Sequence, residues 1–164
     1  MRLVVGAFLC IAIMAVAACH TDAVHRQNQL QKELLQKTQK MHETYLTGGL
    51  DDARQSLRET IRVMEESEGI SPSFRAANLF VECSRLYVLE ESSGNETAAK
   101  AAFVEVRYWY LQQHELNGDS PLKAMDALEA FSTNDVVQMI KHENSARGKA
   151  PNWENKLENR VLNL

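Results

Sequence analysis

Apolar residues recur every third or fourth position along most of the chain, and the two-residue alternation of a β-strand never takes hold. The pattern predicts an all-α protein. Leu30, Leu34, Thr38, Met41 and Tyr45 make one stripe, which stops at Gly48-Gly49, since glycine readily adopts the backbone that closes a helix. Leu50, Ala53, Leu57, Ile61 and Met64 make a second, closed by Gly69. Ser71-Pro72 is a start signal: the serine can cap free amides and the proline is pre-set for the first helical position. A third stripe then runs through Phe74, Leu79, Phe80, Cys83, Leu86 and Tyr87 to Ser92-Ser93-Gly94. The fourth carries Ala99, Ala102, Phe103, Val106 and Tyr110, widened by Val104, Tyr108 and Leu111, and ends near Asn117-Gly118. Ser120-Pro121 opens a short fifth helix with Leu122, Met125, Leu128 and Phe131. Thr133 or Asn134 caps a sixth, with Val136, Val137 and Ile140 inward. Residues 145–152 have linker composition. Beyond them Trp153, Leu157, Val161 and Leu164 share the face of a short amphipathic helix, which either folds back on the body or binds a partner.

The N-terminus follows a different rule. Arg2 supplies one positive charge, and residues 3–16 are apolar apart from Gly6, too short for a membrane span of about 20 residues but right for the core of an export signal. This run ends in Val16-Ala17-Ala18-Cys19, which resembles the lipobox of bacterial lipoproteins: an aliphatic residue, two small ones, then the cysteine whose sulfur is alkylated. The resemblance implies a signal peptide over 1–18, cleavage between Ala18 and Cys19, and a covalent lipid, palmitate among its chains, on Cys19. An ordinary cleaved signal with an incidental cysteine is the alternative. Two or three acyl chains hold a protein on its membrane, whereas one binds marginally. His20, where an inner-membrane lipoprotein of a Gram-negative bacterium usually has Asp, implies an outer-membrane anchor facing the periplasm. In a Gram-positive host the same anchor would lie outside the cytoplasmic membrane. The expected organisation is therefore signal 1–18, lipidated tether 19–29, helical domain 30–146, and linker with C-terminal helix 147–164.

Loss of the signal removes one charged residue, Arg2, so the formal charge of −4 becomes −5. The basic residues are scattered among acidic ones, which excludes a phosphate-tracking surface and hence nucleic-acid binding. Of three cysteines, Cys10 leaves with the signal and Cys19 is acylated, so Cys83 has no internal disulfide partner. It reads as a buried thiol in an apolar helix, or else as a site of intermolecular pairing.

A short pattern recurs. Gly48-Gly49-Leu50-Asp51-Asp52-Ala53, followed by Leu57 and Thr60, and Gly94-Asn95-Glu96-Thr97-Ala98-Ala99, followed by Phe103 and Val106, both resemble the turn between the helices of a tetratricopeptide repeat. The copies are 46 residues apart, longer than that repeat's 34, and the first-helix signature is poorly matched. The resemblance covers about 30–116 and implies antiparallel helical hairpins, about six helices in all plus the short C-terminal one.

Catalytic motifs are missing. His42-Glu43, His114-Glu115 and His142-Glu143 lack the second histidine four residues on that a zinc helix needs, and read as surface pairs. No haem-attachment, nucleophile-elbow, Walker or dinucleotide pattern occurs. Glu65-Glu66, Glu68 and Glu90-Glu91 read as solvated helix ends. No catalytic residue, metal site or cofactor other than the lipid is expected. The run Arg107-Tyr108-Trp109-Tyr110 cannot face one stripe: either the fourth helix is central and buried on several sides, or Arg107, Tyr108 and Trp109 form a recognition patch, with Trp153 a further candidate contact. The chain thus reads as a non-enzymatic, membrane-anchored adaptor or assembly factor for an envelope protein. The alternative is a periplasmic binder of a small hydrophobic ligand held between the third and fourth helices.

Overall fold

The computed structural model describes the backbone of residues 2–146 and 151–154, and the side chains of 23–144 and 151–154. Ala18, Cys19 and the tail positions Leu157, Val161 and Leu164 lie outside the described side chains. Six helices follow one another: α1 (Arg2–Thr47), α2 (Leu50–Glu66), α3 (Pro72–Ser92), α4 (Glu96–Leu116), α5 (Pro121–Ala130) and α6 (Thr133–Ala146). A further helical turn covers 152–154. Neighbours in sequence pack as antiparallel pairs and no strand is present among the described residues. The protein is all-α, as its periodicity requires.

Turn chemistry sets the helix ends. At the α1–α2 corner a Cβ on Gly48 would lie 2.6 Å from the Thr44 carbonyl oxygen and 2.9 Å from Asp52 Cβ, so only glycine permits so tight a turn. Asp52 then accepts from the Gly49 amide at 3.3 Å. Gly94 ends α3 with φ +76, the left-handed backbone that glycine adopts at no steric cost. Ser71 caps α3 by accepting from the Phe74 amide at 3.1 Å, and Ser120 caps α5 by accepting from the Lys123 amide at 3.3 Å. The cap of α6 is Ser132, one residue before Thr133 and two before Asn134. Ser132 Oγ accepts from the Asp135 amide while Asp135 accepts from the Ser132 amide, a reciprocal box that also holds the Asp135 carboxyl below its usual range. Helix α6 takes up positions 145 and 146, which have linker composition.

The core has two parts. The larger gathers Tyr45, Leu57, Cys83, Tyr87, Leu89, Val106, Ile140 and Trp153, and the smaller, nearer the α2–α3 turn, gathers Leu34, Val63, Met64, Ile70 and Leu79. The two alanines of the recurring pattern occupy like positions. Ala53 is 0% and Ala99 1% exposed, each in the first turn of a hairpin's second helix, where a small side chain lets the partner helix approach.

The central helix is α3, not α4. It packs on α2, α4 and α6, and ten of its residues are buried, including Glu82, Arg85 and Glu90. Helix α4 buries Ala99, Ala102 and Val106 but leaves Val104 and Tyr108 outside. Glu90 also corrects the reading of Glu90-Glu91 as a solvated end. It is 0% exposed and accepts from Arg54 at 2.9 and 3.1 Å, Arg58 at 3.1 Å and Asn95 at 3.2 Å. Its carboxylate thereby ties α2 to the end of α3 and to the α3–α4 turn, and raises the affinity of Arg54 for its proton.

Candidate functional site

Helices α1 and α3 point the same way, because each is antiparallel to α2, and the space between them is a groove of about 500 Å³. One wall comes from α1. There Lys32, Leu35, Gln36, Gln39 and His42, at steps of three or one, project beside the stripe Leu34, Thr38, Met41 and Tyr45 that packs inward. The other wall is Asn78, Val81, Glu82 and Arg85 of α3, at the same helical spacing. Thr60 and Met64 of α2 form the floor, both nearly fully buried, and Glu143 of α6 closes one end.

Arg85 organises that end. It is 3% exposed and ion-paired to Glu82, one turn earlier on α3, and to Glu143 of α6. Its guanidinium lies 5.9 Å from the centre of the Tyr45 ring, in reach of a cation–π contact. Burial works against the charge, but Glu82 and Glu143 outweigh it and hold the proton more firmly than usual. Such a desolvated group with two carboxylate partners ties α6 to α3 at the end of the groove. Burial also pushes the Tyr45 phenol far above its ordinary range, so the ring stays neutral. The His42 ring stands 5.9 Å from that of Tyr45.

The remaining groove side chains are mostly polar. Glutamine and asparagine amides supply donors and acceptors, charges of both signs sit on the two walls, and Leu35, which is 46% exposed, provides apolar surface. Cys83 is buried in the core, and that burial, with Glu105 and Glu65 nearby, pushes its thiol well up and disfavours the thiolate. Among the described residues no group of three or more His, Cys, Asp or Glu is placed to hold a metal ion. Nor is any described helix long and apolar enough to cross a membrane.

The residues singled out from the sequence are not brought together here. Arg107 and Tyr108 lie on the outward face of α4, with Tyr108 49% exposed. Trp109 turns the other way, half-buried against the smaller core and 4.8 Å edge-on to Tyr108. Trp153 is 1% exposed and belongs to the core, because the chain folds back so that Asn152 donates to the Thr47 carbonyl at 3.0 Å. His114 pairs with Asp119 at 2.6 Å and not with its neighbour Glu115. Together with Lys123 it draws the Asp119 carboxyl below its usual range.

No protein-family model, curated protein or solved structure matches this chain.

The pair Arg85 and Glu82 belongs to no sequence motif. The available signal is positional: 78, 82, 85 and 89 form a second face of α3 at spacings of four, three and four, ending in the fully buried Leu89. Along part of the α3–α4 seam Phe80, Tyr110 and Phe131 pack together, with Tyr110 and Phe131 4.3 Å apart and nearly parallel and Phe80 tilted to both, while Tyr87, Phe103 and Val104 line a separate cavity of about 490 Å³.

Proposed function

We propose that the protein is a lipid-anchored envelope adaptor, held on the periplasmic face of an outer membrane through Cys19, that docks a segment of a partner protein between α1 and α3. The observation that carries this reading is the open groove, whose walls present hydrogen-bonding amides and an ion-paired arginine. A chain segment brings unpaired amide donors and acceptors with it; Gln36 is suited to meet them, as are the side-chain carbonyls of Gln39 and Asn78, whose amino groups donate to Glu43 and to the Phe74 carbonyl. The lipobox motivates the anchor, and the recurring glycine-acidic-alanine turn motivates likeness to tetratricopeptide hairpins, whose paired helices present such grooves. On this reading the molecule positions a partner, uses no cofactor beyond its lipid, and turns over no substrate.

Site-specific photo-cross-linking in living cells tests it. A photoreactive residue at Gln36 or Gln39 should trap one defined envelope protein, while the same residue at exposed Gln55, on the opposite side of the hairpin, should not. Equal trapping at all three positions, or at none, would overturn the groove as the docking site. Mass spectrometry of the mature N-terminus separately checks the diacyl or triacyl group on Cys19.

A further inference from the structure

We propose that the corner between α4 and α5, carrying Leu116, Leu122 and Met125, is a second contact with the lipid bilayer; the inference rests on the anchor at Cys19. Chain direction supplies the first argument. Because successive helices are antiparallel, the α2–α3 and α4–α5 turns lie at the end from which α1 enters the body. The close approach of Gly69 to Leu30 fixes the level: a Cβ on that glycine would lie 2.8 Å from Leu30 Cδ1. Ala23 stands seven residues earlier on α1, about 10 Å further out at the helical rise. The four residues from Ala23 to Cys19 add at most about 14 Å even when fully extended. A lipid on Cys19 thus keeps this end of the body close to the membrane and turned toward it.

The distribution of exposed apolar side chains supplies the second argument. Among the residues with described side chains, four of the seven large exposed apolar ones belong to this end: Val24 (42%), Leu116 (42%), Leu122 (73%) and Met125 (46%). The opposite turns contribute none, presenting Asp51, Asp52, Asn95, Glu96 and Thr97 instead. Helix α5 already buries Ala124 and Leu128 against the body, so Leu122 and Met125 form a face that internal packing leaves outside. Helix α5 packs on α4 and stands to the side of α1, and neighbouring helices lie about 8–10 Å apart, so the body must incline on its tether to lower this corner to the headgroups. Once the lipid holds the protein, the contact is intramolecular in effect and a few shallow side chains suffice. Exposed Glu65, Glu66 and Glu68 line the α2–α3 turn at the same end, and exposed Arg26 and Lys123 stand there as well, so the charges of both signs suit a zwitterionic surface.

Naturally lipidated protein in vesicles of phosphatidylethanolamine and phosphatidylcholine tests this. An environment-sensitive fluorophore is placed on Leu122→Cys or, at the far end, on Glu96→Cys; both sites are exposed, and buried Cys83 does not compete for label. The expected result is blue-shifted emission at position 122, quenched several-fold more strongly by nitroxide-bearing lipid than emission at position 96. Water-like emission at 122 from protein that still floats with the vesicles would overturn the bilayer contact while leaving the anchor intact, and so would equal quenching at both sites. Failure to float at all would overturn the anchor and the contact with it.

Discussion

The indole of Trp153 lies 6.1 Å from the ring of Tyr45, centre to centre, with the planes tilted by 54°. Both are essentially fully buried, so the segment after α6 completes the core at the end of α1 rather than trailing from it. Truncating Trp153 to alanine removes one of the largest side chains of that cluster and leaves a cavity, a change that costs about 3–5 kcal/mol in a well-packed interior. Urea unfolding should show the loss as a lower midpoint. Trp153→Ala within 0.5 kcal/mol of the natural protein would mean that the segment is only loosely seated.

Tyr108 of α4 should behave in the opposite manner. Its side chain stands on the outer face of α4, where substitutions usually move stability by less than about 0.5 kcal/mol. Tyr108→Ala is therefore expected to unfold at the same urea concentration as the natural protein. A large loss would show that its edge-on contact with Trp109 holds α4 in place.

A stronger effect is expected at Glu90. Its buried carboxylate joins Arg54, Arg58 and Asn95, and removing one member of a buried ion pair leaves charge behind, at a cost of about 3–5 kcal/mol. The lower end applies, because the Arg58 side chain is 58% exposed and can turn to water. Glu90→Ala should lower the unfolding midpoint sharply, and Glu90→Gln should recover part of the loss by keeping an acceptor. A Gln variant no better than Ala would show that charge, not hydrogen bonding, holds the turn.

How far the sequence discloses this arrangement depends on what each residue does. Ser71, Ser120, Gly48 and Gly94 act within their own few residues, so the helices they bound are legible from spacing alone. The central place of α3 is not, because burial on every side erases the one-sided stripe that marks a surface helix. Its faces include Glu82, Arg85 and Glu90, whose partners lie on α2, α3 and α6 and come together only in the fold. The groove is hidden for the same reason, since neither Gln36 nor Asn78 belongs to a motif. Trp153 was legible as an apolar face, but only the chain's path back to Thr47 decides that it packs inward.

The alanines of the recurring turn give a packing test. Neither Ala53 nor Ala99 has exposed surface to speak of, so a leucine at either must displace a neighbouring helix, at about 1–3 kcal/mol. Ala53→Leu and Ala99→Leu should destabilise to a similar degree, measured by thermal unfolding. Strong asymmetry between them would mean that the two hairpins are closed by different contacts despite their shared pattern.

Glu65 offers a test of sign. Partial burial, with Glu105 and Glu66 close by, raises its carboxyl above the ordinary range in the folded protein. A carboxyl with a higher pKa folded than unfolded binds its proton more tightly in the native state. Ionising it therefore weakens the fold as pH rises through that range, and protonating it relieves the penalty as pH falls. Glu65→Gln, neutral throughout, should melt at a higher temperature than the natural protein at pH 7. The advantage should shrink toward pH 4, where Glu65 itself becomes neutral. Because the side chain is partly hydrated the gain at pH 7 is small, but its direction is fixed by the three causes named. An advantage that grew on acidification, or a variant that melted lower at pH 7, would mean that Glu65 meets a cation in the folded state and not the repulsion of Glu105 and Glu66.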